Sequence, residues 1–202
     1  MRNWLLAGTT LCVGLAVSSA LADNSKLSPV TFKMFGGMAD GGAASTGNAL
    51  SKKFLHRTIA FQTSLAPGSV LVKTGERKLY YILSDGQAIE YSVGVGREGF
   101  TWSGTDRITD KAEWPEWRPP KEMVDREAAM GHRLPELMPG GPDNPLGARA
   151  IYIGDTQFRI HGTTQPWSIG YAVSSGCIRM MNEEVIDLYD RVAVGAHVVV
   201  EN

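Results

Sequence analysis

Two cysteines are all that the 202 residues contain, too few for the disulfide framework that staples many small exported domains. Clustered positive charge is missing as well. Twenty Lys and Arg face 21 Asp and Glu without a basic patch, so the phosphate neutralisation that nucleic-acid binding needs has no source. The histidines His56, His132, His161 and His197 lie far apart, no two at a ligand-like spacing, and a resident metal is not expected. No apolar run reaches the roughly 20 residues of a membrane span. Apolar content is ordinary for a globular chain, and there are no internal repeats.

What is present begins with an export signal. Arg2 supplies a positive start, Leu5 through Val17 form a mostly apolar stretch, and Ala20-Leu21-Ala22 offers a small-x-small cleavage site. Residues 1–22 are therefore expected to be a signal peptide, and the protein to be exported to the periplasm. Cys12 lies inside the apolar stretch, where Leu11 before it argues against lipidation. Cleavage after Ala22 removes Cys12 and leaves Cys177 as a single thiol in an oxidising compartment, which points to a chemical task for it.

Residues 23–57 read as a linker, since GGMADGGAASTGNALSKK is small and polar with no apolar period. Residues 58–202 carry the folded material. Thr58–Gln62, Ser69–Lys73 and Lys78–Leu83 are β-branched and aromatic runs parted by Pro67-Gly68 and Thr74-Gly75 turns. Ile89, Tyr91, Val93 and Val95 alternate with Glu90, Ser92 and Gly94, the pattern of a strand with one buried face. Seven prolines between Pro115 and Pro145 make Trp102–Gly147 a braced excursion with room for one short helix around Lys121–Met130. Strands resume at Ala148–Gly154 and Phe158–His161. Asn182 is placed to cap a helix whose first turn holds Glu183 and Glu184, and His197–Glu201 closes the chain as a strand. The sum is a mainly β domain with one or two short helices.

Gly94–Gly99, GVGREG, matches GxGxxG, but FTWSGT follows where a dinucleotide site needs a helix, so the motif reads as a glycine turn. The segment FRIHGTTQPWSIGYAVSSGCIRM is different. Ser174-Ser175-Gly176 before Cys177 allows a tight turn, in which Gly176 lets a carbonyl approach the thiol and backbone N–H groups face an oxyanion. His161 ends a strand and is followed by Gly162. An imidazole beside a thiol favours the thiolate and can serve as general base, with a backbone carbonyl fixing its tautomer. Arg179 either pairs with a substrate carboxylate or braces the turn through backbone carbonyls.

These residues resemble the signature of the L,D-transpeptidase (YkuD) family: a His-Gly pair, His161-Gly162, then Ser174-Ser175-Gly176-Cys177-Ile178-Arg179. The likeness extends to Asn144–Gly147 (NPLG) and Lys78–Leu83. It implies an L,D-transpeptidase-like β-sandwich or barrel-like catalytic domain that uses no metal or other cofactor. It implies acyl transfer through a thioester on Cys177 with His161 as base, acting on peptidoglycan stem peptides, with an anchored envelope protein as a further acceptor. Ser175 stands where many members carry a second histidine, which leaves the proton transfers to His161. Gly162, Ser174 and Arg179 are candidate substrate contacts. Trp114 and Trp117, with Trp102, are expected on a lid that keeps water from the thioester. Two rivals remain: an L,D-carboxypeptidase or hydrolase of protein–peptidoglycan links using the same pair, and a non-catalytic wall-binding module.

Overall fold

A computed structural model describes residues 55–202. The expected signal peptide and nearly all of the expected linker lie outside the described residues. Eleven strands and two α-helices follow in the order β1 Arg57–Ala60, β2 Val70–Lys73, β3 Lys78–Ile82, β4 Gln87–Ser92, β5 Val95–Gly96, β6 Gly104–Glu113, α1 Lys121–Ala129, β7 Arg149–Ile153, β8 Arg159–His161, β9 Ala172–Ser174, β10 Ile178–Arg179, α2 Asn182–Arg191 and β11 His197–Glu201. A 3₁₀ turn, Pro166–Ser168, precedes β9. The fold is mainly β, as the sequence implied.

Nine strands form one sheet in the order β1-β4-β3-β2-β11-β6-β7-β8-β10, and β5 pairs separately with β9. The hinge of the sheet is β6. Its residues Gly104–Arg107 pair with β11, and from Ile108 onward it pairs with β7, with a register shift between Ile108 and Asp110. Such a bulge bends a strand, so the sheet curls on itself instead of lying flat. Inside the curl sits a core built from both arms and from α2, including Val70, Leu79, Tyr91, Ile108, Ile151, Ile160, Met180 and Leu188. A smaller cluster, Leu71, Tyr80, Ile82 and Ala88, fills the other side of β2–β4 against Ile59, Phe61 and Leu65.

Three expectations change. Alternation gave β4 one buried face, but Glu90 is buried too, because β4 lies between β1 and β3 and Glu90 receives Arg57 at 3.0 Å and Lys78 at 3.1 Å. The excursion does not begin at Trp102: ten residues of it are β6, in the middle of the sheet, and Trp102 packs on the core and stacks on Phe158 at 5.8 Å between ring centroids. Prolines govern only the part after Glu113, which contains α1. Third, Asn182 is the first residue of α2 and not its cap; Met181 stands at that place without a side-chain cap.

Candidate active site

The Cys177 turn is held by its own small residues. Ser174 Oγ donates to the Cys177 carbonyl at 2.6 Å and accepts the Gly176 N–H at 3.1 Å. Gly176 has φ 116°, and a Cβ there would lie 2.6 Å from the Phe158 ring and 2.8 Å from the Phe100 carbonyl oxygen. The glycine is therefore required by backbone shape and packing. The space its missing side chain leaves is filled by protein, not left open for a substrate as expected. Ser174 is likewise buried and committed to the turn, while Ser175 is exposed.

β10 runs parallel to β8, with Ile178 opposite Ile160 and Arg179 opposite His161. The two-residue period of strands then puts Arg159, His161, Cys177 and Arg179 on one face. His161 is 5% exposed, and its Nδ1 lies 2.6 Å from the Gly162 carbonyl oxygen. That contact requires the proton on Nδ1, since a carbonyl only accepts, and it leaves the Nε2 lone pair free to act as base. Burial, reinforced by the charges of Arg179 and Arg159, pushes the His161 pKa down to about 3 against the smaller upward pull of the Gly162 and Leu146 carbonyls.

The Cys177 thiol moves the other way. Burial raises its pKa, opposed by the Arg159 charge, an Arg159 backbone N–H and the Arg179 charge. Its S–H donates to the Gln157 carbonyl at 3.7 Å. The resting pair is thus neutral thiol and neutral imidazole, where the sequence suggested an imidazole-stabilised thiolate. The two guanidinium groups, not the imidazole, are the charges that favour a thiolate here. The site's electrophile-facing donors also differ from expectation: the Gly176 N–H is occupied by Ser174, whereas the Cys177 N–H makes no hydrogen bond among the described residues.

The Arg179 side chain does not brace the turn through backbone carbonyls; its partner among the described residues is another side chain. Its Nη1 donates to Gln165 Oε1 at 3.0 Å, and only its backbone bonds the neighbouring chain, at Gly94. That neighbour belongs to the GVGREG segment, which forms β5 and a loop: Arg97 N–H donates to the Ser174 carbonyl at 3.1 Å, and no room for a Cβ exists at Gly96 beside Phe100 and Gly176. The glycine turn therefore buttresses the Cys177 turn, a role that spacing alone gives no sign of.

Two asparagines, Asn144 buried and Asn182 half-buried, organise the other side. Asn144, 1% exposed, donates through Nδ2 to the carbonyls of Pro115, Met138 and Pro139 and accepts the Leu146 N–H, tying the two ends of the proline-rich segment together. Asn182 accepts the Ala148 and Thr163 N–H groups and donates to the Thr163 carbonyl. Gly162 is a glycine because of that amide: a Cβ on it would lie 2.1 Å from Asn182 Oδ1. Its carbonyl accepts from His161 Nδ1, and its backbone N–H donates to the Arg149 carbonyl.

The tryptophans separate. Trp117 is 8% exposed and its backbone exchanges two hydrogen bonds with Met138, so it is part of the loop's interior. Trp114 is 46% exposed at φ 44°, with its N–H on the Ala148 carbonyl and its own carbonyl so close to Gly140 that a Cβ there would touch it. A non-glycine residue in that region is costly and is found where the surroundings enforce it.

Comparison with known proteins places the chain in a family. Residues 67–200 match the model of the YkuD family, the L,D-transpeptidase catalytic domain. Over 134 residues, 64% of this chain, it is 39% identical to the probable L,D-transpeptidase ErfK/SrfK of Escherichia coli K12 and 36% identical to that strain's YbiS. The match spans less than half of those relatives, 42% and 43% of their lengths. A Brucella melitensis crystal structure titled as a probable carnitine operon oxidoreductase is 45% identical with a TM-score of 0.50, covering 73% of this chain and 94% of its own. The GVGREG segment here leads into a loop and β6 and not into a helix. The Enterococcus faecium L,D-transpeptidase, 16% identical at a TM-score of 0.50, covers 67% of this chain and 50% of its own and shares the fold. The chain belongs to the YkuD family of L,D-transpeptidase catalytic domains.

Proposed function

We propose that this chain is an exported cysteine acyltransferase that remodels peptidoglycan, with residues 1–22 as its signal peptide, 23–57 as a linker and 58–202 as the catalytic domain. The observation that carries the reading is the shared face of β8 and β10. There a lone thiol, an imidazole with Nδ1 pinned and Nε2 free, and two arginines converge.

The chemistry follows from those atoms. Cys177 Sγ attacks the carbonyl that joins the diamino acid to the terminal D-residue of a stem peptide, and its proton passes to His161 Nε2. The oxyanion is received by the Cys177 N–H, the donor left uncommitted by the turn. Collapse breaks the C–N bond, His161 returns the proton to the leaving D-amino acid, and a thioester remains. An amine from a second stem, from a free D-amino acid or from an anchored protein then attacks the thioester, giving up its proton to His161, and the thiol is regenerated. Neutral resting groups suit this sequence, because His161 must be a base twice and has to be unprotonated when each nucleophile arrives.

Intact-mass measurement of the mature domain with a disaccharide-tetrapeptide tests the proposal. Acylation at Cys177, release of the terminal D-residue and formation of cross-linked dimer are the expected results. Release of tripeptide alone would transfer the assignment to an L,D-carboxypeptidase, and no acylation in a folded protein would leave a wall-binding module.

A further inference from the structure

Asn182 lies outside the His161 and Cys177 pair, yet it is joined to both arms of the site. Met180 N–H donates to the His161 carbonyl at 2.8 Å as the chain leaves β10, and Asn182 follows two residues later at the start of α2. Its side chain turns back across the His161 corner. Oδ1 accepts Ala148 N–H at 3.1 Å and Thr163 N–H at 3.2 Å, and Nδ2 donates to the Thr163 carbonyl at 3.2 Å. A Cβ on Gly147 or Gly162 would stand 2.2 or 2.1 Å from the same oxygen, so both glycines have given up a side chain to admit it. One amide thus holds the N–H of the same peptide whose carbonyl is the acceptor for His161 Nδ1, and ties it to Ala148, next to the start of the adjacent strand.

We infer that Asn182 is a positioning residue that sets the tautomer and aim of His161 through the Gly162 carbonyl, and that it does so from the same connection that carries Cys177. The reasoning is local. The imidazole is buried, so solvent cannot replace a lost partner on Nδ1, and the Gly162 carbonyl at 2.6 Å is its principal acceptor, with the Leu146 carbonyl a weaker neighbour. A glycine-flanked peptide has little intrinsic preference for one orientation. Asn182 holds the Thr163 N–H of that same peptide and the Ala148 N–H packed beside it. Without the clamp the Gly162 peptide is free to rotate, the proton can move to Nε2, and the nitrogen needed as a base is then a donor. A misplacement on the order of 1 Å in such a group costs about a hundredfold in rate.

The inference rests on the proposed roles of His161 and Cys177, and the test separates the two. Asn182→Ser keeps a short hydroxyl that cannot reach both amides, and Asn182→Asp keeps both acceptor bonds. Nitrogen-15 spectra of the histidine ring should show His161 wholly as the Nδ1–H form in the wild type and in Asn182→Asp, and as a mixture in Asn182→Ser. The rate of Cys177 acylation should fall about a hundredfold in Asn182→Ser with little change in KM, and should largely return in Asn182→Asp. A folded Asn182→Ser with wild-type tautomer and rate overturns the inference. Should that variant not fold, hydrogen exchange on the wild type decides: Ala148 and Thr163 amides must be as protected as those of β8, and rapid exchange of either overturns it. If the tautomer shifts as expected while Cys177→Ala is acylated as fast as the wild type, the positioning stands and the proposed reaction fails.

Discussion

The neutral thiol–imidazole pair makes a quantitative prediction about pH. His161 is pushed down to about 3 by burial and by Arg179 and Arg159. Acylation by proton transfer from Cys177 to His161 needs the imidazole unprotonated. With a pKa of about 3 roughly 99% of it is so at pH 5, whereas with the ordinary value of about 6.5 only roughly 3% would be. The acylation rate should therefore change less than about twofold between pH 8 and pH 5 and fall only as the pH approaches 3. If preformed thiolate were the only nucleophile, the raised thiol pKa would impose a slope of one, about a thousandfold over the same range. The assay is the single-turnover rate of adduct formation with a carbapenem, whose strained carbonyl suits a thiol acylase, read by intact mass with circular dichroism confirming the fold at each pH. A drop of about thirtyfold centred near pH 6.5 would show that His161 is not held neutral by its surroundings. A thousandfold slope would remove it from the proton-transfer step altogether.

Further expectations are more direct. Cys177→Ala should remove acylation with the fold unchanged, and His161→Ala should lose several orders of magnitude in rate, each measured with the same adduct assay. Below about pH 6.5 the unfolded chain takes up a proton on His161 that the folded chain refuses until about 3, so stability falls as pH falls across that window, by about 3 kcal/mol between pH 7 and pH 4. Urea unfolding of the wild type and His161→Gln at both pH values checks this, since the Asp and Glu carboxylates contribute equally to the two proteins. Trp117→Ala should cost about 3–5 kcal/mol because that side chain is buried, whereas Trp114→Ala should leave stability within about 1 kcal/mol. If Trp114 shields the thioester, its variant shifts products from dimer towards tripeptide; an unchanged ratio by chromatography excludes it as a lid.

How far the sequence could be read follows from the range of each interaction. Strand limits were legible within about two residues because alternation is local: β3, β7, β8 and β11 fall where β-branched runs lie between turn residues. The Ser174–Arg179 turn was legible for the same reason, since its residues act on one another. Signals that depend on contacts far along the chain were misread. Glu90 looked solvent-facing because nothing near it in sequence tells that β1 will cover it with Arg57. Trp102 looked like part of a lid because prolines from Pro115 onward coloured the whole segment. Asn182 carried the most misleading signal: an asparagine before two glutamates is a fair cap pattern, and its real partners, Ala148 and Thr163, are 34 and 19 residues away. Yet a trace of those partners was present. Gly147 and Gly162 are both glycines with no turn signature to demand Gly162, and the asparagine oxygen fills the volume both lack. A glycine without a local reason implies a side chain arriving from elsewhere, and in this domain that side chain is the amide that connects the thiol's strand to the imidazole's peptide.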